Sequence, residues 1–501
     1  MKAIKVNAIT YFGAIWLVSE LLLMVGCAAP AVEVARQEPT TAPLPTAIFP
    51  ATPVASGAPL LIIGWDDALG RVVRAVDPLT GADAGGYSPL PFAGERDDAF
   101  VTPSVLAPDG RWLALPDVDG EVCYPFAGGA TCGAGSSTLY LVDLAAWSIR
   151  SLALESRGWV GQMVFSRDGR LAVTVQSTLT ENSLLLIDPV AGTTLAQTSL
   201  PFAPSRLSSG PASTLVVYGQ AAGGVAGISP PPAPRVLLLN GATLEPVWET
   251  TLHEVNSGHW CVENCDAEHG LRKMTSRVPG VALLPDGERL HIVHADAERL
   301  TTVDLARRAV WTIDVAAGVG WLERLLGLTA DVAHAKGPMD SFARYAVLSP
   351  DGTRLYVSGY DMLMAEDGAG GWGVTQTLAP LRVIDPATGH VLAERDVPSH
   401  ALRLTPDGRT LLALDLSNNA TMTTVLDVES LAVVARVEGH HVVTVADMDG
   451  ETRFVAQSIR HRRTDFTVFE PLTFAVLAEC CLLYTSPSPR DRTRSRMPSS
   501  A

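Results

Sequence analysis

The sequence of 501 residues has few charged side chains, few aromatic rings and none of the common catalytic motifs. Charged residues make up 18% of the chain and aromatic residues 6%, against 47% hydrophobic residues. The chain can therefore bury a large core and is not disordered as a whole. No G-x-S-x-G elbow, phosphate-binding P-loop or H-E-x-x-H zinc motif occurs. We therefore predict no catalytic residue, no cofactor and no metal site.

Basic residues are also scarce. The chain has 53 acidic and 37 basic residues, which gives a formal net charge of −16. Residues 481–501 contain four arginines and one aspartate, so the net charge of residues 1–480 is −19. Such a surface repels nucleic acid and anionic lipid. We expect no nucleic-acid partner.

The start of the chain has the pattern of an export signal. "MKAIK" supplies two lysines, an apolar run follows, and "MVGC" places a small residue before Cys27. This arrangement is typical of a secretory signal peptide. It resembles a bacterial lipoprotein signal, in which the cysteine becomes lipid-modified and, after cleavage, the new N-terminus. Met24 and Glu20 depart from that pattern, so a plain signal peptide or an uncleaved anchor is the alternative.

The resemblance implies a signal peptide over residues 1–26, lipid attachment at Cys27 and a location in the bacterial cell envelope outside the cytoplasm. The acyl chains would provide the contact with the membrane. Residues 27–59 are rich in Pro, Ala and Thr. Because proline favours extended conformations, we predict a semi-rigid tether there.

Two short elements recur from Leu60 onward. The first is an Asp-Gly turn between apolar strands, in which glycine accepts positive φ and aspartate bonds its own backbone. It occurs in "LAPDGRWLAL", "FSRDGRLAVT", "LLPDGERLHIV", "LSPDGTRLYVS", "LTPDGRTLLAL" and, more weakly, "VADMDGETRFVA". The second is a strand that ends in a turn at Asp77, Asp143, Asp188, Asn240, Asp304, Asp385, Asp427 or Glu470.

The spacing of these two elements indicates a repeat. The turn aspartate precedes the second acidic residue by 18 to 21 positions in four repeats and by 34 in two, which contain insertions. A repeated unit of four short strands predicts a β-propeller. The turns resemble those of the YVTN and WD-type propeller superfamily, most clearly over Ser349–Ala393. Over residues 60–480 the resemblance implies an all-β propeller of seven to eight four-stranded blades, and the fold alone implies no function.

The first repeat lacks its Asp-Gly strand, and a strand beyond Cys480 would complete it. Residues 481–501 instead form a Pro-rich, Arg-rich tail. Back-translated with permissible codons, 481–491 and 495–501 resemble a transposase-based sequencing-library adapter. We therefore expect an adapter artefact at 481–501 and a propeller truncated at its C-terminus. A real basic arm is the alternative.

Seven cysteines occur in the chain. With Cys27 and Cys481 set aside, Cys480 has no obvious partner and two close pairs remain. Both pairs, in insertions of the repeats, are candidate disulfides outside the cytoplasm: Cys123 with Cys132 and Cys261 with Cys265. Zinc bound by the second pair is the competing interpretation, with ligands among His253, His259 and His269.

Two other insertions carry candidate partner contacts. Trp321 and Leu325 lie at helical spacing, which predicts a short amphipathic helix near 319–330 that either packs over a propeller face or docks a partner. Met362, Met364 and Trp372 belong to a Gly-rich segment that we interpret as a surface loop or a rim contact.

Two functions remain. The first is a membrane-anchored, monomeric binding or scaffold module for a protein or another envelope or extracellular macromolecule. The alternative is a propeller enzyme of lactonase-like or quinoprotein-like type, with a metal or cofactor on the central axis. A cluster of His, Asp or Glu at one mouth of the channel would favour the enzyme, whereas an aromatic rim without such a cluster would favour binding. Histidines such as His291 and His294 are candidates for the cluster, although histidines at strand ends are more often ordinary hydrogen-bonded groups.

Overall fold

The computed structural model describes residues 60–66, 70–77, 83–90, 104–117, 120–126, 129–178, 181–220, 233–263, 273–284, 287–316, 339–366, 372–405, 408–415, 422–448, 451–458, 465–470 and 476–481. Within these ranges the regular structure is β-strand, apart from one 3-10 turn at Pro211–Ser213. None of the described residues belongs to a helix long and apolar enough to cross a membrane. The predicted signal peptide, tether and 319–330 helix lie outside these ranges, as does the tail after Cys481.

The described residues form 33 strands. In chain order these are β1 (Leu60–Asp66), β2 (Gly70–Val76), β3 (Asp83–Pro89), β4 (Val105–Leu106), β5 (Trp112–Pro116), β6 (Gly120–Phe126), β7 (Gly129–Asp143), β8 (Ser148–Phe165), β9 (Leu171–Gln176), β10 (Asn182–Asp188), β11 (Thr193–Leu200), β12 (Ala203–Ser209), β13 (Thr214–Gln220), β14 (Arg235–Asn240), β15 (Pro246–Thr251), β16 (Gly258–Glu263), β17 (Lys273–Val278), β18 (Gly280–Leu283), β19 (Arg289–Val293), β20 (Arg299–Asp304), β21 (Ala309–Asp314), β22 (Met339–Leu348), β23 (Leu355–Glu366), β24 (Trp372–Ile384), β25 (Val391–Arg395), β26 (Ala401–Leu404), β27 (Thr410–Asp415), β28 (Met422–Asp427), β29 (Val433–Glu438), β30 (His440–Met448), β31 (Glu451–Ser458), β32 (Asp465–Phe469) and β33 (Val476–Cys481).

The chain divides into two compact units. The described part of the larger unit, up to Glu438, contains six blades of four antiparallel strands in chain order: β4-β5-β7-β8, β8-β9-β10-β11, β12 to β15, β18 to β21, β22 to β25 and β26 to β29. The long strand β8 serves two blades, its first half pairing with β7 and its second half with β9. The smaller unit contains the three-stranded sheet β1-β2-β3 and the four-stranded sheet β30 to β33. The predicted all-β propeller of four-stranded blades is confirmed.

Five blades of the larger unit turn from first to second strand at the predicted Asp-Gly motif. The motif glycine has a φ of +69° to +80° in every case, and its N–H donates to the carbonyl three residues earlier. The φ lies in the left-handed region, where a residue without Cβ is favoured. These glycines are Gly110, Gly169, Gly287, Gly352 and Gly408.

The turn between third and fourth strands also repeats in all six blades. A side-chain oxygen of Asp or Asn accepts backbone N–H groups two or three residues later, at 2.7 to 3.3 Å. A residue with φ between +51° and +76° then closes the turn. Asx turns of this kind are a local consequence of the short polar side chain. The acceptors are Asp143, Asp188, Asn240, Asp304, Asp385 and Asp427.

The hydrophobic core lies between neighbouring sheets. In one cluster, Leu184 and Leu186 of β10 pack with Leu215 and Val217 of β13, and all four side chains are buried. Each such side chain contributes roughly 1.5–3 kcal/mol through burial. Inner strands such as β10 and β13 are therefore nearly continuous apolar runs, whereas fourth strands such as β11 and β15 are largely exposed and carry polar residues.

Both kinds of turn lie at the same end of the blades, because strands alternate in direction within each antiparallel sheet. We call this the tight-turn end. The opposite end carries the connections between second and third strands and between successive blades, and we call it the insertion end. It receives β6 with the first half of β7, the hairpin β16–β17, and the extended halves of β22, β23 and β24.

Candidate binding surface

An accessory sheet extends one blade of the larger unit at the insertion end. Strand β17 pairs with β16 on one side and, in parallel, with the first half of β22 on the other. The ladder continues through the second half of β23 and the first half of β24. We call these five paired segments the annex sheet. Three separate insertions are needed to build it.

The annex sheet contains three of the predicted partner contacts. Met362 and Met364 lie on β23, opposite Gln376 and Val374, and Trp372 begins β24. Our interpretation of this segment as a loop is wrong for all but 367–371, which lie outside the described residues. The ladder forms because the first half of β22 supplies hydrogen-bonding partners for β23. The other two predicted contacts, Trp321 and Leu325, lie outside the described residues.

One face of the annex sheet is organised around Arg277. Its guanidinium donates to the Thr275 hydroxyl at 2.6 Å and pairs with the carboxylates of Asp340 at 3.3 Å and Asp296 at 3.4 Å. The same group stacks 4.1 Å from the ring centroid of Phe342. Only 14% of the Arg277 side chain is exposed. Arginine suits this position because its flat fork can bond carboxylates and stack on an aromatic ring together.

Asp296 joins the annex sheet to the adjacent blade. It follows β19, and its carboxylate also accepts a hydrogen bond from the Asn256 amide at 2.9 Å. A second arginine, Arg344, bonds Asp361 at 2.8 Å and so ties β22 to β23 on the same face. These pairs hold the sheet in one position against the blade.

The opposite face packs on the next blade. Tyr345 and Tyr360 pack together there, with Met362 against them. His400, whose side chain is 1% exposed, lies 5.7 Å from the Tyr360 ring and 3.4 Å from Asp415 through Nδ1, with its Nε2 2.6 Å from the Gln376 amide. These contacts of His400 help to position the annex sheet against this blade.

The two candidate metal-binding histidines are engaged within the protein. His291 Nδ1 lies 2.9 Å from the Thr302 hydroxyl, and His294 Nε2 lies 2.8 Å from the Thr301 hydroxyl. Burial lowers the pKa of His291 to about 4, helped by the charge of Arg289, and burial also lowers the pKa of His294. Across the ranges that the structure describes, no three His, Cys, Asp or Glu side chains come together as metal ligands.

The structure describes both cysteines of one predicted disulfide and one cysteine of the other. Cys123 and Cys132 are direct partners in the register of β6 and β7. Cys261 lies on β16 opposite Met274, whereas Cys265 lies outside the described residues, so that pair stays a prediction. Cys27 also lies outside them.

Sequence reasoning missed the residues that hold the annex sheet. Arg277 and Asp340 are 63 positions apart, and neither belongs to a recognisable motif. The one local signal in "KMTSRV" is that its apolar residues, Met274 and Val278, are an even number of positions apart, which is compatible with a strand but does not identify its partner.

No protein-family model matches the chain, and no curated protein sequence matches it. Among solved structures, dihydro-heme d1 dehydrogenase NirN in complex with DHE aligns over 87% of this chain and 76% of its own, at 14% identity and a TM-score of 0.51. At that identity the likeness concerns the fold alone. The Dos1 propeller aligns over 80% of this chain and 89% of its own, at 10% identity and a TM-score of 0.45. BamB from Moraxella catarrhalis aligns over 81% of this chain and 92% of its own, at 13% identity and a TM-score of 0.41.

Proposed function

We propose that this chain is a lipid-anchored β-propeller of the bacterial cell envelope that binds a protein or another envelope macromolecule through its insertion end. One observation carries the proposal. In the described residues of the larger unit, the long insertions lie at the insertion end, where three of them build the annex sheet, whereas the other end has only short turns. Loops and added strands on a rigid scaffold are the usual place for binding.

The annex sheet suits a partner better than a small substrate. Thr375 and Thr377 of β24 are exposed. Among the described strands, the first half of β24 pairs with β23 along one edge and with no strand along its other edge. Arg277 and Arg344 fix the sheet in place from the face on which Thr377 lies. A pre-organised surface loses less conformational entropy on binding than a flexible loop does.

Site-specific photo-crosslinking in intact cell envelopes tests this surface. A photoreactive residue at Thr377, in the annex sheet, should give one reproducible macromolecular adduct. The matched control places the same residue at Thr388, which is exposed in a tight turn, and should give none. Equal adducts from both positions, or no adduct from Thr377, contradict the proposal.

The lipid anchor rests on the resemblance of "MVGC" to a lipobox. Cys27→Ser should abolish incorporation of a fatty-acid label and release the chain into the soluble fraction. Cys480→Ser, the control, should leave both unchanged. Retention of label by the Cys27 variant would show that the lipid is attached elsewhere.

We also propose a disulfide between Cys123 and Cys132, in keeping with a location outside the cytoplasm. The ladder of β6 and β7 begins at Phe126 and Gly129, which are separated by two residues. In a hairpin with a two-residue turn, the pair next to the turn is hydrogen-bonded, and the following pairs alternate between non-hydrogen-bonded and hydrogen-bonded. Cys123 and Cys132 form the fourth pair from the turn and are therefore a non-hydrogen-bonded pair. Pro125 and Ala130 are then also a non-hydrogen-bonded pair, which suits a residue that has no N–H to donate.

Non-hydrogen-bonded partners have Cα atoms about 4.5 Å apart, within the span that a disulfide requires. The two thiols would lose two protons and two electrons to a disulfide oxidant. Mass spectrometry of the exported protein, digested without reductant, should recover one crosslinked peptide that is lost in Cys123→Ser. Recovery of both cysteines as free thiols contradicts this bond.

A further inference from the structure

A cavity of about 260 Å³ lies within the larger unit. It is bordered by the first strands of three blades, β12, β18 and β22, together with β13 and β19. Its walls are mainly apolar and include Leu207, Val281, Leu290 and Val347. This volume suits a small ligand of on the order of ten non-hydrogen atoms.

Arg206 gives the cavity a positive charge. Its guanidinium donates a long hydrogen bond, 3.4 Å, to the Val281 carbonyl, and no carboxylate of the described residues pairs with it. Arg206 is exposed, and the protein packed around its guanidinium lowers the pKa of that group. By contrast, the annex-sheet arginines Arg277 and Arg344 each meet an aspartate. Arg206 is therefore a cation open to solvent beside an apolar wall, with no acidic partner in the part of the chain that the structure describes.

Tyr218 lines the same cavity. It is the direct cross-strand partner of Arg206, so both side chains project from one face of the sheet. Tyr218 is 2% exposed, and its hydroxyl lies near the Ser257 hydroxyl without a well-formed hydrogen bond to any group that the structure describes. Burial raises the pKa of the phenol, with a smaller opposing effect from the nearby Ser257 hydroxyl. The group is thus a neutral donor at neutral pH.

We propose that this cavity binds a small carboxylic acid with an apolar tail. The carboxylate accepts hydrogen bonds from the Arg206 guanidinium and the Tyr218 hydroxyl, and the tail packs on Leu207, Leu290 and Val347. A carboxylate satisfies both polar groups because it has only acceptors and can take a charge-assisted bond from arginine. A neutral alcohol of the same length offers no negative charge to Arg206.

Calorimetric titration of the whole protein with octanoate, 1-octanol and octylamine tests the proposal. Octanoate should bind, octanol should bind at least roughly tenfold more weakly, and octylamine should not bind. Equal affinity for octanoate and octanol overturns the assignment of the carboxylate. Absence of octanoate binding overturns the site.

Two variants separate binding from folding. Arg206→Gln should weaken octanoate by roughly tenfold or more, while Arg403→Gln, on the first strand of another blade, should leave the affinity unchanged. Tyr218→Phe should weaken octanoate by roughly fivefold, because it removes the second donor to the carboxylate. Unchanged affinity in both the Arg206 and Tyr218 variants contradicts the proposal.

Discussion

The two ends of the blades in the larger unit turn the chain in different ways. At the tight-turn end, glycines such as Gly352 and acceptors such as Asp385 recur in nearly identical geometry. At the insertion end, the connections differ from blade to blade, and one group of them builds a sheet held by Arg277. The hydrogen bonds that shape each tight turn lie within four residues, with a few further bonds to neighbouring segments, whereas the annex sheet depends on contacts between distant insertions.

This difference indicates which end of the blades is more sensitive to substitution. A turn that is satisfied by its own residues needs no neighbour, so it can recur in every blade and adds little that is specific. The annex sheet exists only because residues from three insertions meet. We therefore expect substitutions at the insertion end to have larger effects than comparable ones at the tight-turn end.

The largest effect should come from Arg277→Ala. Removing the guanidinium leaves the carboxylates of Asp296 and Asp340 without their shared cation in a mostly buried site. Breaking a buried pair in this way costs about 3 kcal/mol or more of unfolding free energy. Urea denaturation followed by tryptophan fluorescence measures it.

The matched control is Arg307→Ala at the tight-turn end. Arg307 also pairs with an aspartate, Asp304, but 75% of its side chain is exposed. Solvent screens such pairs, so we expect a change of less than about 1 kcal/mol. Similar losses from both variants would show that the two ends do not differ in the way described.

The same contrast explains what the sequence predicts and what it does not. The turns at Gly110 and Asp143 follow from the residues of the turn itself, so the repeat and the four-stranded blades are predictable. The strand character of Met362 and Trp372 depends on pairing that begins with the first half of β22, and no local pattern contains that information. Arg277 is missed for the same reason, because its acidic partners lie in other segments.

The second-largest effect should be a loss of stability at low pH caused by His291, which lies on β19 between the two ends of its blade. Because the folded pKa of His291 is about 4 and the ordinary value is 6.5, the unfolded chain takes up the proton first as pH falls. The stability due to neutral His291 is complete above pH 6.5 and is lost as pH falls to about 4, by about 3 kcal/mol. Urea midpoints measured between pH 7.5 and 4.5 should show this slope.

His291→Asn should reduce that slope by the part due to His291, since asparagine can bond Thr302 without titrating, while the buried His294 still contributes in the same direction. His253→Asn is the control, because His253 is exposed. The slope should persist in the control. An unchanged slope in the His291 variant would assign the pH dependence to other groups.

A smaller effect separates two glycines of the tight-turn end. Gly389 has φ +76°, and a Cβ there would lie 2.3 Å from the Asp314 carbonyl oxygen, whereas Gly110 has φ +72° and open space around it. Gly389→Ala should destabilise the protein by about 2–3 kcal/mol through backbone displacement, and Gly110→Ala by about 1 kcal/mol through φ alone. Equal melting temperatures for the two variants would contradict the role of the neighbouring blade.

The smallest effect tests whether the Asx turns are self-contained. Asp385 accepts the N–H of Ala387 and the hydroxyl of Thr388, and these bonds hold its pKa below the usual range. Asp385→Ala removes the acceptor and should cost about 1 kcal/mol. Asp385→Asn should cost less, because Asn240 already makes the equivalent bonds in another blade. Thermal unfolding that ranks Asn below Ala would show that charge, and not the local hydrogen bonds, supports the turn.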